Sequence, residues 1–326
     1  MKRALIVGCN YPGTRNQLRG CVNDANAMEV VLRDKYGFTE VKKLLDNAAT
    51  TANMKAGLSW LVHGAQPGDV LVFHYSGHGS QIPGNESDGL NEIICPVDLD
   101  WNTKMITDDY LHAVFNTVPN GVNVTVILDS CHSGTMLDQN NQFQPLGPGV
   151  ARDEEKDRSM SNVKERYMPP PPDIAAKLKG RHHKKSHAVV SRDVNQTALL
   201  ISGCQSTQTS ADAYVGGRFQ GAATFALVKV LNEMHFDVDY KTLVTKMDQF
   251  MAANGYTQRP ELDGPPVLYT QKFATTFIHT VRDEDVTVQV AKPVPLTSSP
   301  AAKTVAAVIV GALLACVAFA VYLSLH

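Results

Sequence analysis

No two cysteines in this 326-residue sequence stand in a CxxC arrangement. The six present, Cys9, Cys21, Cys95, Cys131, Cys204 and Cys316, are scattered. That argues against a clustered zinc motif and a disulfide framework, and it fits a reducing compartment. A charge excess is missing too: 30 Lys and Arg stand against 32 Asp and Glu, a formal net charge of −2. No Lys/Arg run interleaves with aromatics, so nothing favours a nucleic-acid partner. The N-terminal apolar run, Ala4–Cys9, is too short for the core of a signal peptide and reads as a first strand.

Short apolar runs are what the chain does have: "ALIVGC" (4–9), "DVLVFHY" (69–75), "VTVILD" (124–129) and "TALLIS" (197–202). Val, Ile and Leu dominate them without polar alternation, as in parallel strands covered on both faces. Amphipathic stretches at 23–36, 51–63, 108–118, 221–233 and 240–253 predict helices between and after them. The alternation predicts an α/β doubly wound sheet. Between 139 and 193 the pattern collapses into charged, Pro-rich, aperiodic sequence, which reads as a linker or processing segment. Residues 281–303 read as a polar stalk. They lead to Val305–Leu323, 19 residues without a charge, long enough to span a bilayer as one helix. The expectation is a tail-anchored, single-pass protein with its body facing the cytoplasm. The sequons at Asn85, Asn123 and Asn195 would then carry no glycan.

Two strand ends are unusual. One run leads into "HYSGHGSQ", the next into "DSCHSG". Gly77 and Gly79 allow a sharp turn around His78 and leave room for a substrate chain. A thiol is a weak nucleophile at neutral pH, and an imidazole can take its proton and return one to a leaving amine. His78 and Cys131 lie 53 residues apart and could meet only in the fold. The N–H groups of Gly79 and Cys131 could form an oxyanion hole. Either residue alone has an ordinary explanation, a polar turn or a small core thiol; the conjunction is far rarer. His132 is a competing base, but a neighbour in extended backbone points away from Cys131.

These stretches, with "LLISGCQSTQTSADA", resemble the signatures of metacaspases, caspase-like cysteine peptidases of plants, fungi and protists. The resemblance covers roughly 2–139 and 195–280, in family order. It implies a caspase-like (caspase-hemoglobinase) fold, with a mostly parallel central sheet flanked by helices. It divides the catalytic sequence into a large part (1–139) and a small part (193–280) around a flexible linker (140–192); the stalk and the transmembrane helix (304–324) that follow are read from their own sequence and not from the resemblance. It implies Cys131 as nucleophile, His78 as base, a monomer, and peptide or protein substrates cut after Arg or Lys. The residues support that specificity. Strand alternation puts Asp129 on the same side as Cys131. A carboxylate would raise the thiol pKa, so holding a substrate cation suits Asp129 better. Asp24 matches a second acid of the family's pocket, with Ser76 and Cys21 lining it; Asp24 also suits a helix first turn. Asp212 is a further acid near the site.

Calcium activation is implied by the same resemblance, with Asp108, Asp109, Asp138 and Glu92 as ligands. The commonest family form has Asp-Glu where this chain has Asn91-Glu92. "TDD" also reads as a helix cap followed by acids. Catalytic sequence begins at residue 2, without a Pro-rich or zinc-finger prodomain. The linker carries Lys177, Lys179, Arg181, Lys184 and Lys185, targets for self-cleavage between 151 and 192. A contrasting expectation is a catalytically silent, membrane-tethered binding protein; both members of the dyad are present, which disfavours it.

Overall fold

The computed structural model describes residues 1–84, 89–131, 163–178, 198–205, 208 and 210–277. The rest, including the whole unit from Thr280 to His326, lies outside the described residues. The proposed stalk and span fall there, as do Asn85 and Asn195. Among the described residues no helix is long and apolar enough to cross a membrane.

The apolar runs become parallel strands β1 (Lys2–Gly8), β3 (Val70–Ser76), β7 (Asn123–Asp129) and β9 (Ala198–Ser202). They form the middle of a six-stranded sheet in the order β12-β9-β7-β3-β1-β2. β2 (Glu40–Leu45) closes one edge in parallel pairing with β1, and β12 (Glu261–Asp263) closes the other, antiparallel to β9. Every residue of β3, β7 and β9 is buried. Alternation along β1 feeds two cores. Leu5 and Val7 join Met54, Leu58 and Phe115, while Ala4 and Ile6 join Ala25, Met28 and Leu227. Helices therefore cover both faces, as a parallel sheet requires.

One face carries α2 (Thr51–Val62) and α3 (Asp108–Phe115). The other carries α1 (Cys21–Val30), α5 (Ala222–Glu233) and α6 (Tyr240–Ala253). Thr50, Thr107 and Asp239 cap α2, α3 and α6 by accepting backbone N–H bonds. The first helix continues as a π-helical turn over Val31–Lys35.

Two small sheets sit beyond the carboxyl ends of the central strands. One is antiparallel: β4 (Gly79–Pro83), β5 (Leu90–Ile94) and β6 (Ile106–Thr107). The other holds β10 (Ala211–Val215) between β11 (Arg218–Gly221) and a two-residue strand, β8 (Lys164–Glu165). β8 comes from the stretch expected to be a flexible linker. That expectation fails for residues 163–178, which lie along the small sheets and end in α4 (Pro172–Leu178). Asn123 is also a correction: its side chain is buried, bonded to the Thr275 carbonyl and the Tyr240 hydroxyl, so this sequon reports nothing about topology.

Candidate active site

The register of β3 and β7 builds the centre of the site. Ser76 pairs with Asp129, so the two strands end level. His78 and Cys131 each stand two residues beyond their strand ends. The order of the sheet puts β2 on one side of β1 and β3 on the other, and ligand crevices form outside carboxyl ends at such switches.

Two tyrosines hold the His78 turn. The Tyr75 hydroxyl donates to the His78 carbonyl (2.6 Å), and the His78 N–H donates to the Tyr11 hydroxyl (3.0 Å). Gly77 does not adopt a positive φ, so the expected reason for its presence changes. A Cβ there would stand 2.5 Å from the Tyr75 hydroxyl. The His78 Nε2 lies 2.7 Å from the Asn16 carbonyl, an acceptor only, so Nε2 carries the proton. Nδ1 has no hydrogen-bond partner and keeps its lone pair. Burial lowers the imidazole pKa to about 4, which leaves it neutral at pH 7.

Cys131 is fully buried. Its thiol donates to the Ser210 carbonyl (3.3 Å) and lies against the Ser210 N–H. No hydrogen bond joins Cys131 to His78 among the described residues. What sits at Cys131 is backbone. The N–H groups of Gly79 (2.9 Å) and Cys131 (3.1 Å) converge on one carbonyl oxygen, that of Arg166. Two donors on one oxygen is the geometry of an oxyanion hole.

The Arg166 side chain is fully buried in a pocket of acids. Its Nη2 contacts Asp24 (2.7 Å) and Asp212 (3.0 Å); its Nη1 contacts Asp129 (3.2 Å) and donates to Ser76 Oγ (2.8 Å). Ser76 in turn donates to Asp24 (2.7 Å). The Cys21 thiol is close enough for the guanidinium to act on its pKa, although burial dominates and pushes it up. All four residues expected around a substrate cation therefore meet here, with Asp212 as a third carboxylate.

Two of the carboxylates around the guanidinium titrate differently. At Asp24 burial wins, and the pKa rises to about 6 despite Arg166. At Asp129 burial would also raise it, but the Arg166 charge and donors on Thr224 and Ser210 hold it below the ordinary value. The Thr224 N–H and hydroxyl both reach Asp129 Oδ2 (2.8 and 2.7 Å), and the Ser210 hydroxyl reaches Oδ1 (2.7 Å). Gly221 leaves room for the pocket: a Cβ would stand 2.2 Å from Asp129 Oδ2 and 2.4 Å from the guanidinium.

Glu92 stands on β5 and Asp108 and Asp109 open α3, next to one another through the β5–β6 pairing. Asn91 donates to Asp109 (3.0 Å). Asp138 and His132 lie outside the described residues. Among the described residues, no three His, Cys, Asp or Glu side chains form a cluster that could hold a metal. Glu92, Asp108 and Asp109, the three expected calcium ligands among the described residues, are therefore not such a cluster on their own.

Sequence reasoning missed Arg166, Ser210, Thr224 and Gly221. The last three carry ordinary side chains, or none, in ordinary elements. Arg166 sits in "KERYMPPPPD", whose charge and proline content hid a binding segment. Of the linker cations singled out instead, Lys177 lies in α4 and the others lie outside the described residues.

An α/β sheet with a Cys and a His at adjacent strand ends defines a class of proteins. The family model "Metacaspase, peptidase C14 domain" matches residues 2–140. A metacaspase-1 of Mycosarcoma maydis is 34% identical over 287 residues, 80% of this chain and 69% of that protein. A metacaspase-1 of Yarrowia lipolytica is also 34% identical; the alignment takes in 80% of this chain but spans only 61% of the relative's length. A solved structure of a Geobacter sulfurreducens protein is 28% identical, with a TM-score of 0.60, covering 85% of this chain and 99% of that one. The chain belongs to the metacaspase family.

Proposed function

We propose that the chain is a cysteine endopeptidase that cleaves after Arg or Lys and processes its own linker at the Arg166–Tyr167 bond. One observation carries this reading: Arg166 has its side chain in the acid pocket and its carbonyl oxygen on the Gly79 and Cys131 N–H groups. A buried pocket of three carboxylates is costly without a cation, so it selects for one. The guanidinium fork meets acids through two nitrogens at once, which favours Arg over Lys.

Chemistry follows from the placement. The thiol turns away from Ser210 and gives its proton to the free Nδ1 of His78. The sulfur then bonds to the Arg166 carbonyl carbon, and the oxyanion is held by the two N–H groups. His78 returns the proton to the Tyr167 nitrogen as the C–N bond breaks. Water next attacks the thioester, leaving an Arg166 carboxylate and a free thiol.

Calcium activation is part of the proposal, with Glu92, Asp108 and Asp109 as donors that need Asp138 to complete them. So are the monomeric state and the membrane tether at 304–324. The assay is a set of fluorogenic peptides ending in Arg, Lys or Asp, with calcium or chelator, on wild type and Cys131→Ala. Cleavage after Arg and Lys is expected only with Cys131 and calcium. Cleavage after Asp alone, or an active Cys131→Ala variant, would sink the reading; activity undiminished in chelator would remove calcium from it.

The acid pocket also sets a pH dependence. Asp24 takes up a proton as the pH falls through about 6, and its negative charge beside the cation is lost. KM for an Arg peptide should therefore rise below that pH. In Asp24→Asn it should already be high and change little over the same range.

A further inference from the structure

Beyond the cleaved bond the segment does not leave the protein, and nothing in the reading above requires that. Tyr167 pairs in parallel with Gly79 at the start of β4. The Gly79 N–H donates to the Arg166 carbonyl (2.9 Å), and the Met168 N–H donates to the Gly79 carbonyl (3.0 Å). These two bonds flank Tyr167 and fix its register. The leaving side is thus held by backbone pairing as well.

Each side chain after the bond has its own surroundings. Burial raises the Tyr167 phenol pKa, and the Ser80 hydroxyl beside it partly offsets that; Cys95 is also near. The Ser80 hydroxyl is completely buried, and the Tyr167 phenol is the polar group beside it. Buried hydroxyls are paired as a rule, so one at this depth favours a polar group on the residue after the cut. Met168 is only 7% exposed and joins the apolar cluster containing Ile93, Ile94 and Cys95. Pro170 is buried as well, and α4 then packs against β4.

We infer that the edge of β4 forms a second specificity site, for the residues immediately after the cut: a hydroxylated aromatic beside Ser80, then a large apolar side chain in the cluster below β5. The proposal rests on the Arg/Lys endopeptidase reading and extends it to the leaving side. The substrate class becomes Arg followed by an aromatic and an apolar residue, the pattern this chain carries at Arg166-Tyr167-Met168. Backbone pairing with an edge strand supplies affinity, and the side-chain sites supply selection.

The test uses the full chain and follows self-cleavage at Arg166 by mass spectrometry against time. Met168→Ser should slow the cut about ten-fold or more, while Met168→Leu keeps it near the wild-type rate. Tyr167→Phe should slow it several-fold in wild type and make no further difference in Ser80→Ala, the signature of a coupled pair. Wild-type rates for Met168→Ser would overturn the apolar site. Equal effects of Tyr167→Phe with and without Ser80 would overturn the hydroxyl site. A wild-type chain that never cuts after Arg166 would instead defeat the underlying reading, and with it this one.

Discussion

Asp129→Asn is expected to lower kcat/KM for an Arg peptide by roughly 10²- to 10⁴-fold. The magnitude comes from the cost of about 3–5 kcal/mol for removing one partner of a buried charge pair, at about 1.4 kcal/mol per factor of ten. Asp129 is the acid whose geometry permits little relaxation. Its two oxygens take donors from Ser210 and Thr224 as well as the cation, all within 3.2 Å. An amide in its place cannot accept at every one of those positions and would turn a donor toward one of them. Because Asp129 and Cys131 lie on one strand end, some loss in kcat is expected beside the loss in binding. A peptide with citrulline for Arg separates the two. It keeps the shape of the guanidinium without its charge, and it should lose little further in the variant. A drop of less than ten-fold on the Arg peptide would mean that Asp129 does not hold the substrate cation.

The second large effect concerns Arg166. Arg166→Ala should abolish self-cleavage at the 166–167 bond, slowing it by about three orders of magnitude or more, since the whole cation goes. Arg166→Lys should keep it at a reduced rate, because an ammonium reaches the acids as a point charge without the two-nitrogen fork. The same alanine variant bears on occupancy. In the wild-type chain Arg166 and the backbone around it fill the site, and Cys131 and His78 are both buried. With the side chain gone, three carboxylates are left facing each other, and the segment loses its strongest anchor. A small Arg peptide should then be cut from the first moment, without the lag an occupied site imposes. Fragments ending at residue 166 in the alanine variant would contradict the assignment. So would an unchanged lag.

His78 belongs to the same picture. Its pKa of about 4 is set mainly by burial, and the Arg166 charge lowers it further. Once the segment departs and water reaches the ring, the pKa is expected to move back toward the ordinary histidine value, where a base works best near neutrality.

The features legible in the sequence were those with strong local patterns. The all-apolar strands announced a sheet buried on both faces, and the two polar strand ends announced the site. Asp129 was legible because a carboxylate makes no sense as a thiol activator, and Asp24 only through its match to the family's pocket. Other elements were hidden for physical reasons. β2 carries Lys42 and Lys43 because it is an edge strand, so it reads as a loop. The short strands of the two small sheets are too brief for a period to show. Residues 163–168 have no pattern of their own, because their conformation comes from pairing with β10 and β4. A binding segment of that kind is specified by its partner surface, and composition alone marks it as linker. Gly77 was legible as a constrained position for the wrong reason: it accommodates a tyrosine hydroxyl rather than a turn.

The central claim is that Cys131 attacks the carbonyl of Arg166, held by the acid pocket and the two N–H groups. The most direct measurement is intact-mass spectrometry of the full chain after calcium addition, wild type beside Cys131→Ala. The account predicts a wild-type fragment ending at Arg166 and another beginning at Tyr167, with neither in the variant. A wild-type cut elsewhere that leaves the 166–167 bond whole, or the same two fragments from Cys131→Ala, would contradict it.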